Sequence, residues 1–400
     1  MKRLHHITPA FAFHTLCLLA PLLLQGCLSP IVLNRAVNAY DQAVTDGLSE
    51  QLLVNIARAA NRDPVHFTTV SSIAATFDFR VSAGGTPPFG GTEGGFVLSP
   101  VFGSSLAENP TITIVPIEGE DFTRRLLTPF EENKLTLLLR QHYDIDLLLR
   151  LMAEEFRTTQ GETREVSYRN HPATPQEYAW FRKIVVHIST IQDRNQLYVE
   201  PVALEHVWYL PQTAFSGQDL TTLGDAYDLT YDNLKEQYAL RKKLRERMTI
   251  TNYPPTMLTP EERMQLHQKV TSGSPNDLFV DIRPGFPGGE FPIHGHFRLR
   301  SFHAILNFLG RNMDDAPEFD VPPDPRSGVN PENPPWTLKI DRSHTKPSHA
   351  SPLTRYQGEY YYIKDQTRWN REAFRLLSQL FQMTVSEIPR VGIPSITIAK

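Results

Sequence analysis

The residues best suited to metal chemistry lie close together late in the chain. His294 and His296 flank Gly295, and His303 follows His296 by seven residues. Residues two apart in a strand point to the same face, so the first two imidazoles could share a zinc or copper ion, with His303 as third ligand. There is no HExxH motif and no carboxylate at a diagnostic spacing. We therefore predict no metal and no other cofactor, and keep His294 and His296 as candidate ligands only.

Motifs for nucleophilic catalysis are missing from the sequence. It contains no GxSxG elbow and no SxxK motif with its partner motifs. The carboxylates Asp277, Asp281 and Glu290 lie singly among predicted strands and turns. The sequence favours a non-enzymatic protein, and a metal-dependent envelope hydrolase built around the histidines stays open as the least favoured alternative.

The N-terminal segment combines a basic start with an apolar stretch and a cysteine. Lys2 and Arg3 precede an apolar core, Leu16–Leu24, which is shorter than the roughly 20 residues that span a bilayer. The run Leu22-Leu-Leu-Gln-Gly-Cys27 closes the core. It resembles the lipobox of bacterial lipoproteins, in which signal peptidase II cuts before a cysteine that already carries diacylglycerol. A secretory signal without lipidation is the alternative.

The lipobox resemblance implies a role for each matching position. Cys27 would be lipidated, Gly26 would precede the cut, and Leu24 would be the apolar recognition position. Gln25 departs from the pattern, which usually has a small or β-branched residue there. Leu28, in place of an aspartate after the cysteine, implies an outer-membrane anchor with the body facing the periplasm.

Composition limits the partners. The formal net charge is −4, which argues against nucleic acid, since that partner demands an excess of Lys and Arg. Cys17 and Cys27 are the two cysteines, and the first would leave with the signal, so no disulfide is expected within the mature chain. The expected partners are the membrane through the N-terminal lipid, unknown envelope proteins and other copies of the chain.

One stretch alternates with the period of a strand. Phe77, Phe79 and Val81 fall on the apolar face of residues 75–83, close to the roughly 9–11 residues of a tilted membrane strand. A Gly-rich segment follows, and residues 96–102 could complete a hairpin, although Pro100 interrupts them. Such a hairpin could line an oligomeric membrane pore or could pack on a core.

The pattern of elements predicts an α+β fold with mixed helices and short, mainly antiparallel strands. We divide the chain into a signal peptide (1–26), a helix and Gly-rich hairpin region (27–117), a mixed middle domain (118–313), a Pro-rich linker or long loop (314–336) and a C-terminal strand-helix-strand layer (337–400). The linker prediction is based on seven prolines between Asp, Asn and Gly.

Three polar residues are predicted helix caps. Asp144 precedes a helix with Leu148 and Leu149 inward and Arg150 outward, while Thr259 opens a capping box and Ser301 starts a helix.

Two further segments have assignments based on composition. Residues 184–189 read as a strand, and 231–248 as a charged helix whose basic run, 241–247, forms a solvated face or contacts an acidic partner.

Short blocks of the body resemble uncharacterised proteobacterial lipoproteins. They are Phe122–Pro129, Gly358–Lys364 and Phe374–Phe381, which together cover under a tenth of the chain. This resemblance implies no activity. The sequence as a whole predicts a lipid-anchored scaffold or assembly component of a cell-envelope complex, with an oligomeric export pore as the alternative.

Overall fold

A computed structural model describes residues 28–86, 99–160, 164–202, 205–211, 228–233, 235–243, 247–328, 332–364 and 367–385. Leu24, Gly26 and Cys27 lie outside these residues, as does most of the Gly-rich segment. Within the described parts the fold is α+β with mainly antiparallel strands, as predicted. None of the described helices combines the length and the hydropathy of a membrane-spanning segment.

The helices range from two turns to nine. They are α1 (Leu28–Ala60), α2 (Glu120–Leu127), α3 (Glu132–Leu139), α4 (Ile145–Met152), α5 (Pro175–Asp193), α6 (Pro260–Thr271), α7 (Phe302–Arg311) and α8 (Arg368–Gln382).

The first two strands are far longer than the others. The strands are β1 (Phe67–Thr86), β2 (Ser99–Ile117), β3 (Ala153–Gln160), β4 (Arg164–Arg169), β5 (Tyr198–Pro201), β6 (Glu205–Pro211), β7 (Asp228–Asp232), β8 (Gln237–Lys243), β9 (Met248–Thr251), β10 (Asp277–Ile282), β11 (Ile293–Leu299), β12 (Asp341–Ser343), β13 (Leu353–Tyr356) and β14 (Glu359–Tyr362).

The chain forms two compact units. Among the described residues, the first contains residues 28–53 of α1 together with 66–117, and the second contains residues 54–65 and those from 118 to 385. The predicted middle domain, the Pro-rich segment and the C-terminal layer therefore belong to one unit.

The first unit contains an antiparallel ribbon of β1 and β2. Phe67 pairs with Ile117 at the base, and Thr86 pairs with Ser99 at the other end. No third strand pairs with the ribbon in the part of the chain that the structure describes. β1 includes the predicted strand 75–83 and continues beyond it on both sides. Residues 75–83 pair with 102–110, whereas the described part of the predicted partner segment, 99–102, lies opposite 83–86.

The second unit is built around a six-stranded sheet in the order β4-β3-β11-β10-β9-β5. Only the β10–β9 pair is parallel. Phe297 of β11 lies against Phe156 of β3 and Phe181 of α5, with ring centroids 4.8 and 5.8 Å apart. Two three-stranded antiparallel sheets, β12-β14-β13 and β6-β8-β7, complete the described strands of this unit.

All three predicted caps are confirmed. The Asp144 carboxylate accepts a hydrogen bond from the backbone of Asp146 at 2.7 Å, and Ser301 accepts one from Ala304 at 3.2 Å. Thr259 and Glu262 form the reciprocal bonds of a capping box. These contacts are local, so sequence alone could identify them.

The predicted strand at residues 184–189 is wrong, because the segment lies inside α5. Ile184, Val185, Val186 and Ile188 are all buried there. A continuous apolar run fits a buried helix as well as a buried strand, so periodicity could not separate them.

The predicted helix at 231–248 is also wrong, because the segment forms parts of β7, β8 and β9. Residues 241–243 of the basic run belong to β8. Arg247 is buried: its Nε donates to Glu132 at 2.6 Å, and its Nη atoms donate to three backbone carbonyls. This end of the run is therefore structural and is not a solvated helix face.

Arg150 was expected outward and is instead fully buried. It forms a two-pronged ion pair with Asp146, one turn earlier on α4, at 2.6 and 2.7 Å. Both side chains are 0% exposed. The Arg150 guanidinium also donates to the Pro334 carbonyl and the Asn333 side chain, both at 2.6 Å. A charge on the expected outer face is thus covered by the Pro-rich segment.

The Pro-rich segment packs closely on the second unit. Arg182 of α5 donates to Asn333 at 2.8 Å, and Glu318 accepts from Tyr178 at 3.0 Å and from the backbone of Thr337 at 2.7 Å. The part of this segment that the structure describes forms no helix or strand, and it supplies acceptors to buried arginines.

We expect the Arg150→Leu substitution to destabilise the second unit by about 3–5 kcal/mol, since it leaves the buried Asp146 carboxylate unpaired. The Arg124→Leu substitution removes an exposed pair with Asp121 and should cost about 0–1 kcal/mol. Urea unfolding followed by fluorescence measures both. Equal midpoints for the two variants would contradict the assigned role of Arg150, and Asp146→Leu combined with Arg150→Leu should recover part of the loss.

Candidate functional site

His294 and His296 lie on β11, where buried and accessible positions alternate. Ile293, Gly295 and Phe297 are buried, whereas both histidines line a cavity of about 580 Å³. The prediction that the two imidazoles share a face is therefore confirmed. The cavity is also lined by residues of β3, β10 and α6.

Gly295 allows β11 to lie close to β3. A Cβ atom at this position would be 2.0 Å from the Arg157 carbonyl oxygen and 2.7 Å from the Phe156 ring. No side chain fits there without separating the strands. The absence of a side chain between the two histidines therefore allows β11 to pair with β3.

A buried carboxylate on β10 connects to the first histidine. Asp281 is directly opposite His294 in the antiparallel register, and its Oδ1 is 2.5 Å from His294 Nδ1. Its Oδ2 accepts from Arg283 Nε at 2.7 Å and from the Tyr253 hydroxyl. The Asp281 side chain is 6% exposed, whereas His294 is 54% exposed. The carboxylate is thus enclosed and the imidazole is open to the cavity.

The electrostatics keep Asp281 ionised. Burial by itself would raise the pKa of its carboxyl, but the hydrogen bonds from His294 and Tyr253 and the charge of Arg283 outweigh burial, so the pKa lies below its usual value. Burial and the Asp281 carboxylate raise the pKa of Tyr253, which stays a neutral donor.

This geometry can support general-base chemistry. An ionised carboxylate can only accept, so Nδ1 of His294 is the donor to Asp281, and in the neutral form of the ring the Nε2 lone pair faces the cavity. Among the described residues, no hydrogen bond of Nε2 competes for that lone pair. Thr158, Thr159 and Ser272 also line the cavity, and the Ser272 hydroxyl donates to the Lys269 carbonyl at 2.8 Å.

The third predicted imidazole does not join the other two. His303 lies on α7 and lines a different cavity. His296 packs against Phe279 with ring centroids 5.2 Å apart, and burial lowers its pKa, so it is neutral at pH 7. Within the described residues no three His, Cys, Asp or Glu side chains are arranged to hold a metal ion. The three-histidine site is therefore not assembled.

The other candidate carboxylates are outside the cavity. Asp277 accepts from the backbone of Ser274 at 3.1 Å and lies 3.5 Å from Arg298. Glu290 is exposed in the turn before β11. Neither pairs with Asp281 as a second catalytic carboxylate.

The ribbon of the first unit is the second candidate feature. Three apolar residues of β1 were predicted to face lipid in a membrane hairpin. In the register of the ribbon, Phe77 is opposite Glu108, Phe79 is opposite Leu106 and Val81 is opposite Ser104, so one partner is charged, one apolar and one polar.

The prolines of β2 show which backbone groups face outward. In an antiparallel pair of strands, the backbone N–H and C=O groups of opposite residues alternate along the strand. In one pair of residues these groups bond to each other, and in the next pair they point outward, away from the partner strand. Pro100, Pro110 and Pro116 all fall on the same alternation, which suits outward positions because proline has no N–H to donate. Thr113 has the opposite parity, and its carbonyl points toward β1, where it accepts from the Ser71 hydroxyl at 3.3 Å. Even-numbered residues of β2 therefore form its free edge.

Tyr253 and Arg283 were not identified from the sequence. Neither belongs to a motif. Tyr253 reaches Asp281 because β9 and β10 pair side by side, whereas Arg283 lies two residues after Asp281. The spacing of the two histidines was enough to identify them from the sequence. Their carboxylate partner lies on another strand, so no spacing in the sequence links it to them.

Comparisons with known proteins return no match: no family model, no curated protein and no solved structure is similar to this chain. Function therefore has to be argued from the geometry.

We expect the Asp281→Asn substitution to lower stability at pH 7 by about 1–3 kcal/mol, since the bonds to Asp281 involve an ionised acceptor. The depressed pKa of Asp281 means that the ionised carboxylate stabilises the fold above its unfolded pKa, about 3.9, and that this stabilisation is lost as the pH falls through the folded value. The wild type should therefore lose more stability than Asp281→Asn between pH 7 and pH 3.

Urea midpoints across that pH range measure the effect, with Asp121→Asn as a control at an exposed carboxylate. Parallel pH profiles for the wild type and Asp281→Asn would contradict the assigned role of the carboxylate.

Proposed function

We propose that this chain is a lipid-anchored outer-membrane lipoprotein that assembles with other copies through the edges of its ribbon, as a non-enzymatic scaffold of an envelope complex. The lipobox-like residues Leu24, Gly26 and Cys27 support the anchor. The body would face the periplasm.

The observation that carries the assembly proposal is the long ribbon itself. Its strands, 67–86 and 99–117, pair only with each other among the described residues. An isolated two-stranded ribbon is marginally stable in water, and a long free edge is a template for another strand. A second copy of the ribbon supplies such a strand.

The two edges differ in their capacity to pair. β1 contains no proline, and beyond its irregularity at residues 70–72 its outward N–H groups form an uninterrupted row up to residue 86. The free edge of β2 lacks donors at Pro110 and Pro116, and it is continuous between Pro100 and Pro110. Pairing of β1 with this part of a neighbour's β2 is head-to-tail, which closes into a ring when the rotation allows.

Exposed apolar side chains near the ribbon's base fit the same proposal. Ile112 and Ile114 of β2 are 48% and 62% exposed. Contact with a neighbouring ribbon would remove this area from water.

An export pore is the second candidate function. Its support is the alternation over 75–83, which a ring of hairpins could turn toward lipid. The register sets Glu108 opposite Phe77, and a carboxylate in that position is costly in hydrocarbon. We therefore favour the scaffold.

We expect the Cys27→Ser substitution to abolish incorporation of labelled palmitate and to release the protein from the membrane fraction. Loss of the acyl chains removes the apolar surface that holds a lipoprotein in the bilayer. Cys17→Ser is the matched control and should behave like the wild type, since that cysteine precedes the cut. Equal labelling of Cys27→Ser and wild type would exclude this anchor.

We expect the Val81→Pro substitution to block assembly, because it removes one outward N–H of β1 and leaves the ribbon's own hydrogen bonds. Ser104→Pro, directly opposite on β2, removes an outward N–H from the other edge and should block a head-to-tail assembly as well. Val81→Thr retains the N–H and the β-branched shape and serves as the control. Mass by light scattering in mild detergent reports the oligomer.

Two results would overturn the assembly proposal. One is a monomeric wild type at every concentration tested. The other is an oligomer of unchanged mass in both proline variants. Hydrogen exchange at residues 67–73 checks that the ribbon persists in the variants.

A further inference from the structure

Two adjoining cavities follow one side of α7 in the second unit. Their volumes are about 270 and 610 Å³, and both are lined by His171, Asn307 and Arg311. The smaller cavity also reaches Arg300 and Asn312, at the two ends of the helix. We call the smaller one the α7 cavity.

Arg300 is a buried cation that lacks a carboxylate partner. It is 5% exposed, and its guanidinium donates to the carbonyls of Arg150, Leu151 and Asn170 at 3.2, 3.3 and 2.7 Å. A guanidinium group has five N–H donors, and these carbonyls accept three hydrogen bonds from it. Among the described residues no carboxylate lies within ion-pair distance of it.

Two of the other three buried arginines among the described residues show the contrast, whereas Arg182 is held by neutral acceptors alone. Arg150 and Arg247 each pair with a carboxylate at 2.6 Å. A buried cation is costly without a counter-charge, and burial lowers the pKa of Arg300 to about 10, which still leaves it charged at pH 7. An anion from outside the chain would supply the missing counter-charge.

Buried amide groups with no partner adjoin this cation. Asn312 is 7% exposed, and neither its side-chain oxygen nor its nitrogen has a hydrogen-bond partner. Asn170 is 1% exposed, and its Oδ1 also has none. Both residues line the α7 cavity. Leaving such groups unsatisfied is expensive, so their clustering points to a polar ligand.

Two charged residues of opposite sign complete the lining. Arg311 contacts the His171 ring at 3.4 Å, and it forms no ion pair with any described residue. Glu154 is exposed and likewise has no ion-pair partner in the described chain. Glu154 also acts electrostatically on Arg300, so the opposite charges are neighbours.

We propose that the α7 cavity binds a free amino acid, with its carboxylate on Arg300 and Arg311, its ammonium group on Glu154, and a further polar contact to Asn312. One ligand then satisfies the unpaired cations, the unpaired carboxylate and the unpartnered amide. The volume of about 270 Å³ suits a ligand of this size and is too small for a folded partner.

The test screens the common L-amino acids by thermal shift against the full chain and measures the strongest by calorimetry. We expect saturable binding of at least one of them. Its N-acetyl and carboxamide derivatives should bind about tenfold or more weakly, because each loses one charge-assisted contact.

Two variants localise the binding. Asn312→Leu should keep the fold, since the replaced amide has no partner, and Arg311→Gln changes an exposed side chain. Each should weaken binding by about tenfold or more, whereas the surface controls Asn133→Leu and Arg371→Gln should bind like the wild type.

Three outcomes would overturn the proposal. They are no saturable binding of any amino acid, equal affinity of the N-acetyl derivative, and unchanged affinity in both cavity variants.

Discussion

The buried ion pair between Arg150 and Asp146 is the constraint on which the second unit depends. Two charges with no exposure need every hydrogen bond satisfied. Asp146 supplies both carboxylate oxygens, and the remaining donors require acceptors from outside α4. Those acceptors are the Pro334 carbonyl and Asn333, so a segment that looks like a linker is held against the core.

The same network positions the start of the sheet. The Arg150 and Leu151 carbonyls, at the end of α4, accept from the Arg300 side chain, and the backbone N–H of Arg300 donates to the Met152 carbonyl at 2.7 Å. These bonds join the end of β11 to the α4–β3 junction. The pairing of β11 with β10 separately sets His294 opposite Asp281. The polar core therefore supplies a wall of the α7 cavity, through Arg300, and β10 supplies the partner of the open imidazole.

The stability of the first unit depends on strand edges and not on a buried polar network. Its ribbon has no described partner strand, so its stability depends on what covers the free edges. The common parity of Pro100, Pro110 and Pro116 keeps the ribbon's own hydrogen bonds complete and weakens one outer edge. This asymmetry limits how copies can pair and favours head-to-tail contact.

The sequence by itself determined the local features: the caps at Asp144, Thr259 and Ser301, the alternating strand, the α+β class and the shared face of the two histidines. The caps, the alternation and the shared face each depend on residues within a few positions of one another. Only the tertiary structure decided whether buried apolar and charged runs became helix or strand, that Arg150 is internal, and that Asp281 meets His294. These outcomes depend on partners far apart in sequence, whose contacts outweigh local preference.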